Sequence, residues 1–124
     1  MKYLIGLILF LSTLTAQVTD KNFKDKIGSG FAVVVFTSNY QVKDLDDSIL
    51  KGVKGYEDAQ IFTFESAGLK KVVKKLRIRN YPSVALFHDG SKIDVCKADI
   101  DGEVDVSTDE IKSAIDDVLA EDVF

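Results

Sequence analysis

Apolar residues recur along this chain with two periods, and the switching between them predicts its elements. Phe31-Ala32-Val33-Val34-Val35-Phe36 is an unbroken β-branched and aromatic run, as a central strand buried on both faces requires. Ala59-Gln60-Ile61-Phe62-Thr63-Phe64 predicts a second such strand. Val84-Ala85-Leu86-Phe87 and Lys92-Ile93-Asp94-Val95-Cys96 predict two more. Between them lies Asp89-Gly90, a pair that favours a type I′ hairpin turn because both central residues need positive φ. Helical spacing fills the intervals. Phe23 and Ile27 form an i, i+4 pair, and Leu45, Ile49, Leu50 and Val53 predict a helix over about 42–53. Leu69, Val72, Val73 and Leu76 share a third helical face, and Ile111, Ala114, Ile115, Val118 and Leu119 a fourth.

The polar punctuation agrees. Val18 and Thr19 read as a short strand running into the first helix, with Thr19 or Asp20 as its N-cap. Gly28-Ser29-Gly30 stops that helix, while Gly52 weakens the second and Gly55 ends it. Ser66-Ala67-Gly68 opens the third, and Ser107 with Glu110 forms a capping box for the last. The expected order is β-α-β-α-β-α-β-β-α, with parallel crossovers first and a hairpin and covering helix at the end.

With 124 residues, 46% hydrophobic and 29% charged, the chain suits one domain with an ordinary core. Its net charge of -4 argues against nucleic acid as a partner, and against an anionic membrane. Lys2 followed by the apolar run 3–11 reads as a secretory leader over 1–16, leaving a domain over 17–124. Cleavage after Ala16 would expose Gln17, although Leu14 is larger than the residue usual before a cut. The run is short for a bilayer span, so a membrane role is expected only if the leader is retained. Export implies a periplasmic or extracellular site, where paired cysteines are common. Cys96 is the single cysteine and has no internal partner, so the domain rests on its hydrophobic core.

The stretch 76–93 organises the rest: a basic helical end, the single proline Pro82, a buried strand and a tight turn. By itself it also fits an edge strand that begins after a trans proline. Yet Thr19-Asp20 with Phe23, Val33-Val34-Val35-Phe36, Ile78-Arg79-Asn80-Tyr81-Pro82-Ser83 and Phe87-His88-Asp89-Gly90 stand in the order and spacing of thioredoxin anchors. The chain resembles the thioredoxin-like family over nearly all of 18–119. The resemblance implies an α/β fold, a central mixed sheet flanked by helices, and a cis Tyr81–Pro82 bond.

The family's chemistry does not follow. Where thioredoxins place Trp-Cys-Gly-Pro-Cys at a helix N-terminus, this chain reads Tyr40-Gln41-Val42-Lys43-Asp44. Gln41 stands in the nucleophile's place and Asp44 nearest the resolving cysteine's. Val35 replaces the family's buried acid. Gln41 has no thiolate to attack a disulfide, so exchange by the family mechanism is excluded. Cys96, on the hairpin's return strand, reads as a small apolar filler and a free thiol. His88, without a cysteine or serine nucleophile nearby, reads as an exposed turn residue. The acidic loop 98–106 fails as a calcium loop: setting Gly102 sixth puts Lys97 first and Thr108 twelfth, where carboxylates are needed. The lysines at 70, 71, 74 and 75 read as a solvated helix face. No cofactor and no metal are expected.

What remains is a surface. In the resembling family the cis-proline loop offers backbone to an extended peptide. The corresponding positions are Asn80, Tyr81 and Pro82, with Tyr40 and Gln41 across the groove. The tyrosines either form a protein-binding patch or fill the gap left by the missing tryptophan and cysteines. The expectation is a redox-inactive, protein-binding or structural module rather than an enzyme. The rival is an exported thiol-disulfide oxidoreductase or isomerase working through Cys96 alone. The closing residues 114–124, with Asn80-Tyr81-Pro82 and His88-Asp89-Gly90-Ser91-Lys92, also resemble small thioredoxin-like proteins of contractile-tailed cyanophages. That would imply a virion or accessory component.

Overall fold

The computed structural model describes residues 18–123, and the expected leader over 1–16 with its expected cleavage after Ala16 lies outside them. Helix α1 (Phe23–Lys26) precedes strand β1 (Phe31–Thr37), followed by α2 (Asp47–Val53) and β2 (Gln60–Glu65). Then come α3 (Lys70–Lys75), the hairpin of β3 (Ser83–His88) and β4 (Ser91–Cys96), and the long α4 (Thr108–Val123). The strands form one mixed sheet in the order β2-β1-β3-β4. β1 runs parallel to β2 and antiparallel to β3, and β3 is antiparallel to β4.

The unbroken apolar run of β1 is explained by burial on both faces. Phe31, Val33 and Val35 face a cluster completed by Val53 of α2 and by Ile111, Ile115 and Val118 of α4. Ala32, Val34 and Phe36 face the other way, onto Phe23 of α1, Ile27, Leu69 and Ile78. Each fully buried side chain of this size contributes roughly 1.5–3 kcal/mol, so β1 is the common wall of two cores. The turn between β3 and β4 has φ of 50° at Asp89 and 84° at Gly90, the two positive values its residues foretell.

Three expectations need correction. No strand forms at Val18 and Thr19. The Thr19 carbonyl accepts the Asn22 and Phe23 N–H groups, and its own N–H donates to Asn22 Oδ1, so a local turn occupies the groups a ladder would need. Asn22, not Thr19 or Asp20, precedes α1. Asp20 instead accepts from the N–H groups of Lys71 and Val72, capping α3 from 51 and 52 residues away. The second helix starts at Asp47 rather than near Val42, because Asp46 turns its carboxylate onto the Ser48 N–H and becomes the N-cap. That hydrogen bond holds the Asp46 carboxyl below its ordinary range.

Gly52 has a role that helix propensity does not reveal. A Cβ there would come within 2.7 Å of the Thr108 methyl, while Thr108 Oγ1 donates to the Ile49 carbonyl at 3.1 Å. The glycine lets α2 meet the start of α4. On α4, Ser107 Oγ accepts the Glu110 N–H, as the capping box anticipates.

Candidate functional site: the groove at one end of the sheet

Because β3 is antiparallel to both β1 and β4, β1 ends, β3 begins and β4 ends at the same side of the sheet. Three loops gather there. The β1–α2 loop brings Tyr40, Gln41 and Val42, the α3–β3 loop brings Asn80 and Tyr81, and the loop after β4 brings Ile100 and Gly102. Together they line a groove of about 220 Å³.

Each loop is held by specific bonds. The Gln41 side chain accepts from the Ser38 N–H at 3.0 Å and donates to Asp44 Oδ1 at 2.9 Å. Gln41 is thus a staple of its own turn. The Tyr81–Pro82 peptide bond is cis, and Pro82 is buried beneath the groove rather than part of its surface. Ser83 is fully buried. Its Oγ donates to the Asn80 carbonyl at 2.8 Å and accepts from the Ala98 N–H at 3.0 Å, tying the proline loop to the root of the acidic loop.

The acidic loop closes on itself. Ala98 and Val104 form an isolated bridge, and Asp99 Oδ1 accepts from the N–H groups of Asp101 and Glu103. Its carboxylate is therefore committed to the loop's own backbone. Gly102 takes φ 80°, the left-handed region that favours glycine, and sits beside the Tyr81 carbonyl and the Val42 side chain, where a Cβ would make ordinary contacts at 3.5 and 3.7 Å. Lys43 Nζ meets Glu103 Oε1 at 2.7 Å and joins the first loop to the third, and this contact raises the Lys43 pKa.

The two tyrosines differ. Tyr40 is 93% exposed and fills no gap. Tyr81 is half-buried against the Phe23 cluster, so it is anchored below and open above. Val42 and Ile100 are 75% and 85% exposed. Neither was singled out by sequence reasoning. Val42 reads as the first turn of a helix that starts later, and the available signal for Ile100 is a lone isoleucine between Asp99 and Asp101.

Cys96 is outside the groove, half-buried at the end of β4 against the α4 cluster. Burial first, then Asp94, Glu110 and Asp105, push its thiol pKa up, the reverse of what activates a thiolate. His88 is not the exposed turn residue expected. It is half-buried at the end of β3, where its ring stacks on Phe31 at 4.4 Å and its Nε2 lies 3.6 Å from Asp89 Oδ2.

A mixed sheet ordered β2-β1-β3-β4, with α1 and α3 on one face and α2 and α4 on the other, defines a thioredoxin-like α/β fold. In sequence, the chain matches no family model and no curated protein. Among solved structures it is similar to the crystal structure of a designed protein, at TM-score 0.57 and 16% identity over 80% of this chain and 90% of that one. It is also similar to the first two thioredoxin domains of Naumovozyma dairenensis Eps1p, at TM-score 0.49 and 16% identity over 64% of this chain and 33% of that one.

Proposed function

We propose that this protein is a redox-inactive thioredoxin-like domain that binds or scaffolds another protein through the groove. One observation carries the reading. Among the described residues four large hydrophobics are exposed, and three of them, Tyr40, Val42 and Ile100, surround this groove. Apolar side chains held out in water on stapled loops mark an interaction site, because a solitary domain gains nothing by ordering them there. The motif position supports the absence of exchange chemistry, since Gln41 is spent on its own turn and Cys96 is unactivated. The resemblance of the closing residues to cyanophage proteins supports a virion or accessory particle as the setting. The apolar leader supports an exported form beginning at Gln17, which intact mass on protein from its natural source would test.

The experiment compares the full chain with Tyr40→Ala, Ile100→Ser and Lys71→Ala in native capture followed by mass spectrometry. A partner retained by wild type and Lys71→Ala, and lost with both groove variants, is the expected result. Equal retention by all four would remove the groove from the interface. Insulin reduction with dithiothreitol, wild type against Cys96→Ser, tests the oxidoreductase alternative. Turnover above background that disappears with the serine would establish that alternative.

A further inference from the structure

The sheet face that carries α1 and α3 holds a concavity of about 580 Å³, bounded by those two helices and the β3–β4 turn. Its base is apolar. The Phe23 and Phe87 rings meet edge to face at 5.6 Å, and half-buried Val72 and Leu76 flank them. Its rim is basic, with Lys21 and Lys24 from one side, Lys71 and Lys75 from α3 and Lys92 from β4. Asp20 is the acid among the lining residues, and its carboxylate is engaged by the Lys71 and Val72 N–H groups. Among the described residues, none of the five lysines stands in an ion pair. A solvated helix face accounts for lysines along α3. It does not account for lysines of three chain segments converging on one hollow, in a protein whose net charge is -4.

We propose that this hollow binds a single molecule of an anionic, single-chain amphiphile of the fatty-acid class. The carboxylate sits among the lysine ammoniums, and the acyl chain lies on the Phe23, Val72 and Leu76 floor. Charge complementarity selects the head group, and the lysine methylene stems extend the apolar wall for the tail. The volume falls within the range of small-molecule sites, about 300–1,000 Å³. Concavity favours a free monomer over a membrane surface, because a flat bilayer meets the lysine rim without reaching the floor. An acidic protein segment would match the rim alone.

The test titrates decanoate, below its micelle concentration, into the isotopically labelled full chain and follows backbone amide shifts. Saturable shifts at Lys24, Val72, Leu76 and Lys92 are expected. Lys24→Glu combined with Lys75→Glu should weaken binding at least tenfold, while Lys51→Glu on the opposite face leaves it unchanged. Decanol, with the same chain and no charge, should bind at least fivefold more weakly. Should the double reversal fail to fold by circular dichroism, Lys24→Gln with Lys75→Gln serves in its place. The proposal is overturned by no saturable shift, by shifts at Tyr40 and Ile100 instead, by decanol binding as well as decanoate, or by indifference to the lysine changes. It is equally overturned if an oligoglutamate peptide binds the hollow as tightly as decanoate. Binding to phosphatidylglycerol vesicles with no response to monomeric decanoate would identify a membrane contact in its place.

Discussion

Burial raises the Cys96 thiol above its ordinary range, and three nearby carboxylates add to the shift. The folded state therefore favours the neutral thiol. Alkylation by iodoacetamide should be slow at neutral pH and accelerate only above the range where an unfolded cysteine reacts. Any stability linked to this group is present below the unfolded thiol's pKa and declines as pH rises through the folded one. A fast, pH-flat reaction near neutrality would contradict the assignment. Ser83 is the contrasting case of a buried polar group fully used. Ser83→Ala leaves the Asn80 carbonyl and the Ala98 N–H without their partner, and should cost about 1–3 kcal/mol in urea unfolding. A loss much below that range would mean that water enters to replace the hydroxyl.

Among the elements, α3 is the most exposed to test. It spans six residues with lysines at four of them, too short and too charged to persist alone. Both ends are supplied by bonds its own sequence does not advertise. Asp20 caps the start from across the fold. At the other end Arg77 takes φ 59°, its N–H donates to the Lys74 carbonyl, and the Ile78 N–H closes on the Val73 carbonyl. This is the Schellman arrangement, with Ile78 buried against the same cluster as Val73. A left-handed arginine carries the steric penalty that glycine lacks. Arg77→Gly should therefore raise stability by about 1 kcal/mol, read as a higher urea midpoint at unchanged slope. A lower midpoint would show that the arginine side chain contributes more than its backbone strain removes.

At the scale of the whole molecule, a modest net charge conceals a partition between the two sheet faces. α3 presents four lysines on one face, whereas α4 on the other carries Asp109, Glu110, Asp116, Asp117 and Glu121. The groove lies at the end of the sheet, where exposed Tyr40, Val42 and Ile100 stand beside Arg79 and Asp99, two charges of opposite sign. Partner binding through Tyr40 and Ile100 should therefore weaken little between low and physiological salt, where contacts made by surface lysines fade. Tyr40→Ala should reduce affinity about tenfold or more if the ring is buried in the complex, and leave the urea midpoint unchanged because the ring is 93% exposed in the free protein. Steep salt dependence of partner binding would move the interface to the charged faces.

Much of this architecture follows from the sequence by itself. Two-sided burial of β1 is written in six consecutive apolar residues, and the hairpin in Asp89-Gly90. The face of α4 follows from its helical spacing, because periodicity and turn chemistry are local properties of the chain. That positions 41 and 44 hold glutamine and aspartate, with no cysteine at either, is equally local. Tertiary structure decided the rest, since it concerns groups far apart in sequence. The start of α2 depended on competition between the Asp46 carboxylate and helix extension from Val42, which spacing alone does not resolve. Asp20 looked like a cap for the nearest helix and became one for a helix 51 residues on. His88 looked exposed until Phe31, its partner across the β1–β3 ladder, supplied a ring to stack on. The groove required the acidic loop, folded by Asp99 and joined to the first loop through Lys43 and Glu103, to bring Ile100 beside Val42 and Tyr81, and that placement turned an isolated isoleucine into part of a surface.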